Sequence, residues 1–198
     1  MARRANIGWA VTGGAAAAAV VAVHGLTFQA LKDVALLVWL VPIAARDARD
    51  FRIPNKAVVG VLATWAVLFL VEWLVLPGVA AGELSQAVWA GAGRALLASL
   101  LGACAAAGPV LLLTLVQAWR GREGFGGGDV KLLFAVGLWF SWPENLVGLF
   151  AACVAGVVIG LVWKARTGEA KLPFGPAILA GWFVVMLGGA RLVAAVVG

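Results

Sequence analysis

Charge is scarce in this chain. Asp, Glu, Lys and Arg make up 12% of its 198 residues, against roughly 25% in a soluble domain. With 64% hydrophobic residues and a mean hydropathy of +1.03, a soluble core cannot hide so much apolar surface, whereas a bilayer can. Histidine occurs once, as His24, so an imidazole metal cluster is excluded. The two cysteines, Cys104 and Cys153, lie inside apolar runs and form no CxxC pair. That removes a zinc site and leaves buried free thiols as the expectation. No Ser/His or Cys/His constellation suited to nucleophilic catalysis is present, and no metal or cofactor is expected. Internal repeats and long polar tails are absent as well.

What the chain has in abundance is long apolar runs. A spanning helix needs about 20 apolar residues. Measured that way, about seven segments stand out, at 7–24, 31–45, 57–76, 95–119, 132–142, 145–163 and 172–197; the second and fifth are short. The expected fold is an all-α polytopic membrane helix bundle of about six to seven transmembrane helices. The net charge of +6 sits in short basic clusters between the apolar runs, which is the positive-inside pattern and not a nucleic-acid surface. With the N-terminus in the cytoplasm, every Lys and Arg except Lys32, Arg94 and Arg191 falls on the inner side. The inverted topology is rejected. Trp73, Trp89, Trp139 and Trp142 fall near outer ends of segments, and Trp119 and Trp163 near inner ends, as interfacial rings do. The 26 glycines suit close helix packing in lipid. Residues 1–28, with Arg3 and Arg4 before an alanine-rich run, read as an additional anchor segment retained in the membrane, because that run is long for a cleaved signal.

Two polar stretches interrupt the apolar pattern. The first is Arg46-Asp47-Ala48-Arg49-Asp50-Phe51-Arg52-Ile53-Pro54-Asn55. Asp47 follows an apolar segment directly, and Pro54 suits the start of the next helix. Alone, this is an ordinary charged loop whose acids pair with its arginines. The second is Gly124-Phe125-Gly126-Gly127-Gly128-Asp129-Val130-Lys131. Its glycines admit a second backbone, and Asp129 opens the next apolar helix, where it could simply be a cap. The derived topology puts both stretches on the cytoplasmic side. Ionisable groups at membrane depth are costly and usually functional. Two carboxylates brought together cannot both ionise cheaply, so one keeps its proton. A base that activates water and an acid that protonates the amide are then both available, without metal or covalent intermediate.

Gly126-Gly127-Gly128-Asp129 matches the GxGD signature of intramembrane aspartic proteases. The longer run to Leu133, the Asp47 to Asn55 stretch with its aspartate six residues before Ile53-Pro54-Asn55, and Pro173-Phe174-Gly175-Pro176 together resemble the type IV prepilin peptidase family. Order and spacing agree from about residue 30 to 190. The resemblance implies an aspartic endopeptidase at the cytoplasmic face of the cell's inner membrane, cutting the basic leader from pilin-like precursor proteins. It implies Asp47 and Asp129 as the catalytic pair. Gly126, Gly128, Pro54 and Asn55 would shape the site, and Lys131 would lie beside it or snorkel to the interface. The chain lacks the paired CxxC motifs of the bifunctional members, so it resembles the short peptidase-only class and N-methylation is not expected. Residues 29–198 would form the peptidase-like membrane domain, with 1–28 added to it.

Asp50, three residues from Asp47, is a rival for the first position. Glu72 lies inside the third segment, toward its outer end, and is expected to reach the interface or a neighbour. His24 is expected at the outer membrane surface. Two alternatives remain. One is a presenilin-like or signal-peptide-peptidase-like protease, against which the Pro-Phe-Gly-Pro element weighs. The other is a small transporter or scaffold subunit whose aspartates bind a cation or pair with arginines.

Overall fold

The computed structural model describes residues 2–81, 85–121, 126–168 and 172–197. Arg122, Gly124, Phe125 and Lys171, used above in the charge and loop readings, lie outside the described residues, as do the side chains of Arg3 and Arg4. Among the described residues eight α-helices follow one another: α1 Ala2–His24, α2 Phe28–Asp50, α3 Asn55–Leu70, α4 Leu76–Ala81, α5 Gln86–Trp119, α6 Gly127–Gly137, α7 Trp142–Thr167 and α8 Gly175–Val197. A π-helical turn, Val71–Val75, joins α3 to α4 without a break. Among the described residues five helical stretches are long and apolar enough to cross a membrane, and Gly8–His24 forms a shorter apolar one. The polytopic all-α expectation therefore holds.

Local chemistry sets the helix ends. The Thr27 hydroxyl accepts the Ala30 N–H to start α2, and Ser85 does the same for α5 through Val88. Ser141 and Glu144 form a reciprocal capping box on α7. Helix α7 ends at Gly168, whose φ of 73° only glycine adopts without strain.

Small residues let the helices meet backbone to backbone, as lipid-embedded packing requires. On α7, Gly148, Ala152 and Gly156 face α8. A Cβ at Gly181 of α8 would run into the Gly148 carbonyl and the Ala152 backbone, and one at Gly156 would meet the Phe174 ring at 3.2 Å. Helices α5 and α6 meet the same way through Gly102, Ala103, Ala106 and Gly137. Asn145, fully buried, ties the ends together. Its Nδ2 donates to the carbonyls of Gly137 at 2.8 Å and Phe140 at 2.9 Å, and its Oδ1 accepts the Trp182 indole N–H at 3.0 Å.

Four expectations change. The second segment is not short: α2 runs on to Asp50, so Asp47 lies within the helix and not in a loop after it. The fifth is not a span. Helix α6 has 11 residues, about 16 Å at 1.5 Å per residue, half of a ~30 Å hydrocarbon core. It is tolerated because neighbours enclose it: Leu132, Leu133, Ala135 and Val136 are fully buried, and Asn145 occupies the carbonyls at its end. Trp139 is buried, not interfacial. Cys104 and Cys153 are exposed on outer helix faces, not packed inside.

Candidate active site

Helix α2 carries Asp47 into the interior at 4% exposure. Only three residues on, Asp50 is solvent-facing and lies 3.4 Å from Arg46 Nε, one helical turn back. The helix closes immediately after. Phe51 takes a left-handed φ of 51° and donates its N–H to the Asp47 carbonyl at 2.9 Å. The Phe51 ring meets Trp163 of α7 edge-on, with centroids 5.7 Å apart, which pins the turn. Pro54 then caps α3, its carbonyl accepting from Ala57 and Val58, and Asn55 is the first residue of that helix and is exposed.

The Pro-Phe-Gly-Pro element approaches Asp47 from α8. The Gly175 N–H donates to Asp47 Oδ2 at 2.7 Å, across 128 residues of sequence. This is a free N–H at a helix start, directed at a carboxylate. A Cβ at position 175 would lie 2.9 Å from Asp47 Cβ and 3.0 Å from Oδ2, so the contact requires glycine.

Asp129 stands in the first turn of α6, half-buried, its own N–H bonded to the Gly126 carbonyl at 3.0 Å. Burial, and then the nearby Asp47 carboxylate, push its pKa from 3.8 up to about 6, while a backbone hydrogen bond from Gly126 pulls the other way. Asp47 and Asp129 are thus close enough to feel one another, at the same end of the bundle. The glycines have distinct tasks. Gly126 caps α6, and a side chain there would press on Asp129 Oδ2 at 3.2 Å. Gly128 lets the turn pack against Ile53, whose Cβ would sit 3.2 Å from an added Cβ. The Asp-to-Pro-Asn stretch and the glycine turn therefore touch. Lys131 is exposed on α6. Among the described residues no cluster of three or more His, Cys, Asp or Glu side chains could hold a metal ion.

A model of the type IV leader peptidase family matches residues 34–161. The chain belongs to this family. A prepilin leader peptidase/N-methyltransferase of Burkholderia pseudomallei (strain K96243) is 33% identical over 191 residues, covering 89% of this chain and 55% of that protein. The chain thus spans about half the length of that relative. The protein of the same description from Xanthomonas campestris pv. campestris is 39% identical over 97 residues, 46% of this chain and 33% of its own. The leader peptidase HopD of Escherichia coli is 44% identical over 70 residues, 33% of this chain and 45% of its own. No solved structure matches. The family match takes in both the Asp47 and the Asp129 stretches and stops before the element that supplies Gly175.

Two features of the molecule were not legible in the sequence. One is the bond from Gly175 to Asp47: the Pro-Phe-Gly-Pro element stands out, but nothing local says which atom it serves. The other is Asp33, 2% exposed near the opposite end of α2; an acid inside an apolar segment was its only signal.

Proposed function

We propose that this chain is a membrane aspartic endopeptidase that removes the leader peptide from pilin-like precursor proteins, with Asp47 and Asp129 as the catalytic pair. The observation that carries this reading is the asymmetry of the two carboxyls. Asp129 is held up to about 6 by burial and by its partner. Asp47 is oriented through Oδ2 by the Gly175 N–H. Below about pH 6 the shared proton resides on Asp129. Asp47 accepts a proton from the attacking water, and Asp129 donates to the substrate carbonyl as the tetrahedral centre forms. The proton taken by Asp47 then serves the departing amine.

The substrate class is suggested by the relatives: the Burkholderia protein is named a prepilin leader peptidase/N-methyltransferase and the Escherichia coli one a leader peptidase. The precursor's apolar helix lies alongside the bundle in the bilayer, with its leader at the Asp47 end. That end carries Arg46, Arg49, Arg52 and Lys56, which supports placing it at the cytoplasmic face of the inner (plasma) membrane. Gly126, Gly128, Pro54 and Asn55 shape the turns on either side of the pair, and Lys131 lies at the membrane surface beside it. Residues 1–28 act as an anchor added to the peptidase-like domain of residues 29–198, a division supported by the start of the family match at residue 34. The reading covers peptide hydrolysis only.

The test is Asp47→Asn and Asp129→Asn, made singly and assayed in liposomes with a prepilin-like substrate. Each is expected to lower cleavage by at least about a hundredfold, the low end of a general acid–base contribution. Normal cleavage by either variant removes that residue from the catalytic role.

A further inference from the structure

Near the far end of α2 from Asp47 lies a polar cavity of about 450 Å³, with Asp33 and Glu144 in its wall beside Met186 and Gly188. Asp33 and Asp47 are 14 residues apart, about 21 Å along the helix, so the cavity is separate from the aspartate pair. Asp33 is 2% exposed. Its Oδ1 accepts from the Gln29 carboxamide at 2.9 Å, but its Oδ2 is buried with no hydrogen-bond partner. A buried carboxylate oxygen left without a partner is costly. The cations nearby do not cancel it. Lys32 donates to Glu72 of the π turn at 2.9 Å. His24 of α1 directs Nε2 at the Met186 carbonyl, 2.6 Å away, and stays 3.8 Å from Asp33 Oδ2. Arg191 is exposed at the rim.

The other surfaces of the cavity are oxygen-rich. Helix α8 breaks at Gly188, where φ is −164° and ψ 18°. The carbonyl end of its first half, Val185 to Leu187, lines the cavity and carries the negative end of a helix dipole. A broken helix next to a buried carboxylate is how membrane proteins hold a small cation at depth. The donors are oxygens with one free carboxylate. Glu144 is already engaged, its Oε2 taking the N–H and hydroxyl of Ser141 at 3.0 and 2.7 Å. Soft metals lack thiolate or free imidazole ligands here, and calcium or magnesium would call for more carboxylate charge.

We propose that the cavity at the Asp33 end of the bundle binds a monovalent cation of sodium's class, held by the Asp33 carboxylate and by carbonyl oxygens at the break in α8. The site ties α1, α2, α7 and α8 together opposite the aspartate pair. Proton and cation compete for it. Asp33 is faced by His24 from α1, Gln29 and Lys32 from α2, Glu144 from α7 and Arg191 from α8.

The experiment uses the full chain in detergent. Its unfolding midpoint is measured in sodium, potassium, calcium and choline chlorides at equal ionic strength, at pH 8 and pH 5.5. Sodium at about ten times its dissociation constant should raise the midpoint by about 3 °C over choline at pH 8, and by less at pH 5.5. Asp33→Asn, which keeps the shape and removes the charge, should abolish the sodium response. Should that variant fail to fold, retention of radiosodium by the wild-type protein in equilibrium dialysis decides the question, with one ion per chain expected. Equal midpoints in sodium and choline, a sodium response that survives Asp33→Asn, a shift with calcium alone, or no radiosodium retained would each overturn the proposal.

Discussion

Helix α2 holds two buried aspartates, and their surroundings differ in a way that separates structure from chemistry. Asp47 receives a backbone N–H from the start of α8 and faces a second carboxyl on α6. Asp33, in the wall of a polar cavity at the other end, receives a side-chain amide and is left with an orphan oxygen. Both are carboxyls hidden from water at comparable exposure. Burial alone therefore does not single out the proposed catalytic residue. What sets Asp47 apart is a backbone donor on one oxygen together with a neighbouring acid on α6.

That distinction breaks most sharply at Gly175. Gly175→Ala keeps the backbone N–H but places a Cβ within 3.0 Å of the Asp47 carboxylate, so the carboxyl must shift. A displacement on the ångström scale at a reacting group costs about a hundredfold. Cleavage should fall by that order, while the unfolding midpoint changes far less. Normal kinetics would mean that Asp47 needs no partner from α8 and that its environment is functionally no different from that of Asp33.

The pair on α2 and α6 is the second element of the comparison, and pH reads it. The folded-state pKa of Asp129 is raised from 3.8 to about 6, so the folded protein binds more protons than the unfolded chain between those values. Its contribution to stability is full below pH 3.8 and is lost as the pH rises through about 6. Asp129→Asn removes this loss. The variant should melt about 2–4 °C above wild type at pH 8, equivalent to about 1 kcal/mol for a half-buried group after solvent screening, with the gain vanishing toward pH 4. In the wild type, cleavage should decline above an apparent pKa near 6, a value belonging to the pair and not to either acid. A melting difference independent of pH would show that the Asp129 carboxyl carries no such strain.

Much of this was legible beforehand, because the signals were local. Apolar length announced the spans, the aspartate-to-Pro-Asn spacing pointed to Asp47, and three glycines before an acid pointed to Asp129. Readings that depend on remote neighbours fared differently. Leu132 to Trp142 looks like a short span, yet α6 stops at Gly137, where Asn145, eight residues on, donates its Nδ2 to the terminal carbonyl. Trp139 has the composition of an interfacial ring and is instead enclosed. Glu72 was expected to find the interface or a neighbour; it found Lys32, across 40 residues. A partner 128 residues away, such as Gly175 for Asp47, leaves no trace in periodicity or composition.

The smallest expected effect belongs to the third aspartate of α2. Asp50 shares the DxxD spacing with Asp47, and from sequence either could be the acid that matters. The helix decides between them by rotation. Three residues turn the side chain far enough that Asp50 keeps 55% of its side-chain surface exposed and pairs with Arg46, at 3.4 Å. An exposed i,i+4 pair contributes about 0.3–0.5 kcal/mol and is screened by salt. Asp50→Asn should therefore leave stability within about 0.5 kcal/mol of wild type, and cleavage should remain essentially unchanged, in direct contrast to Asp47→Asn. A loss of activity matching that of Asp47→Asn would mean that a solvent-facing acid performs the chemistry, and the buried, donor-fixed geometry around Asp47 would then have to be structural, as it is around Asn145.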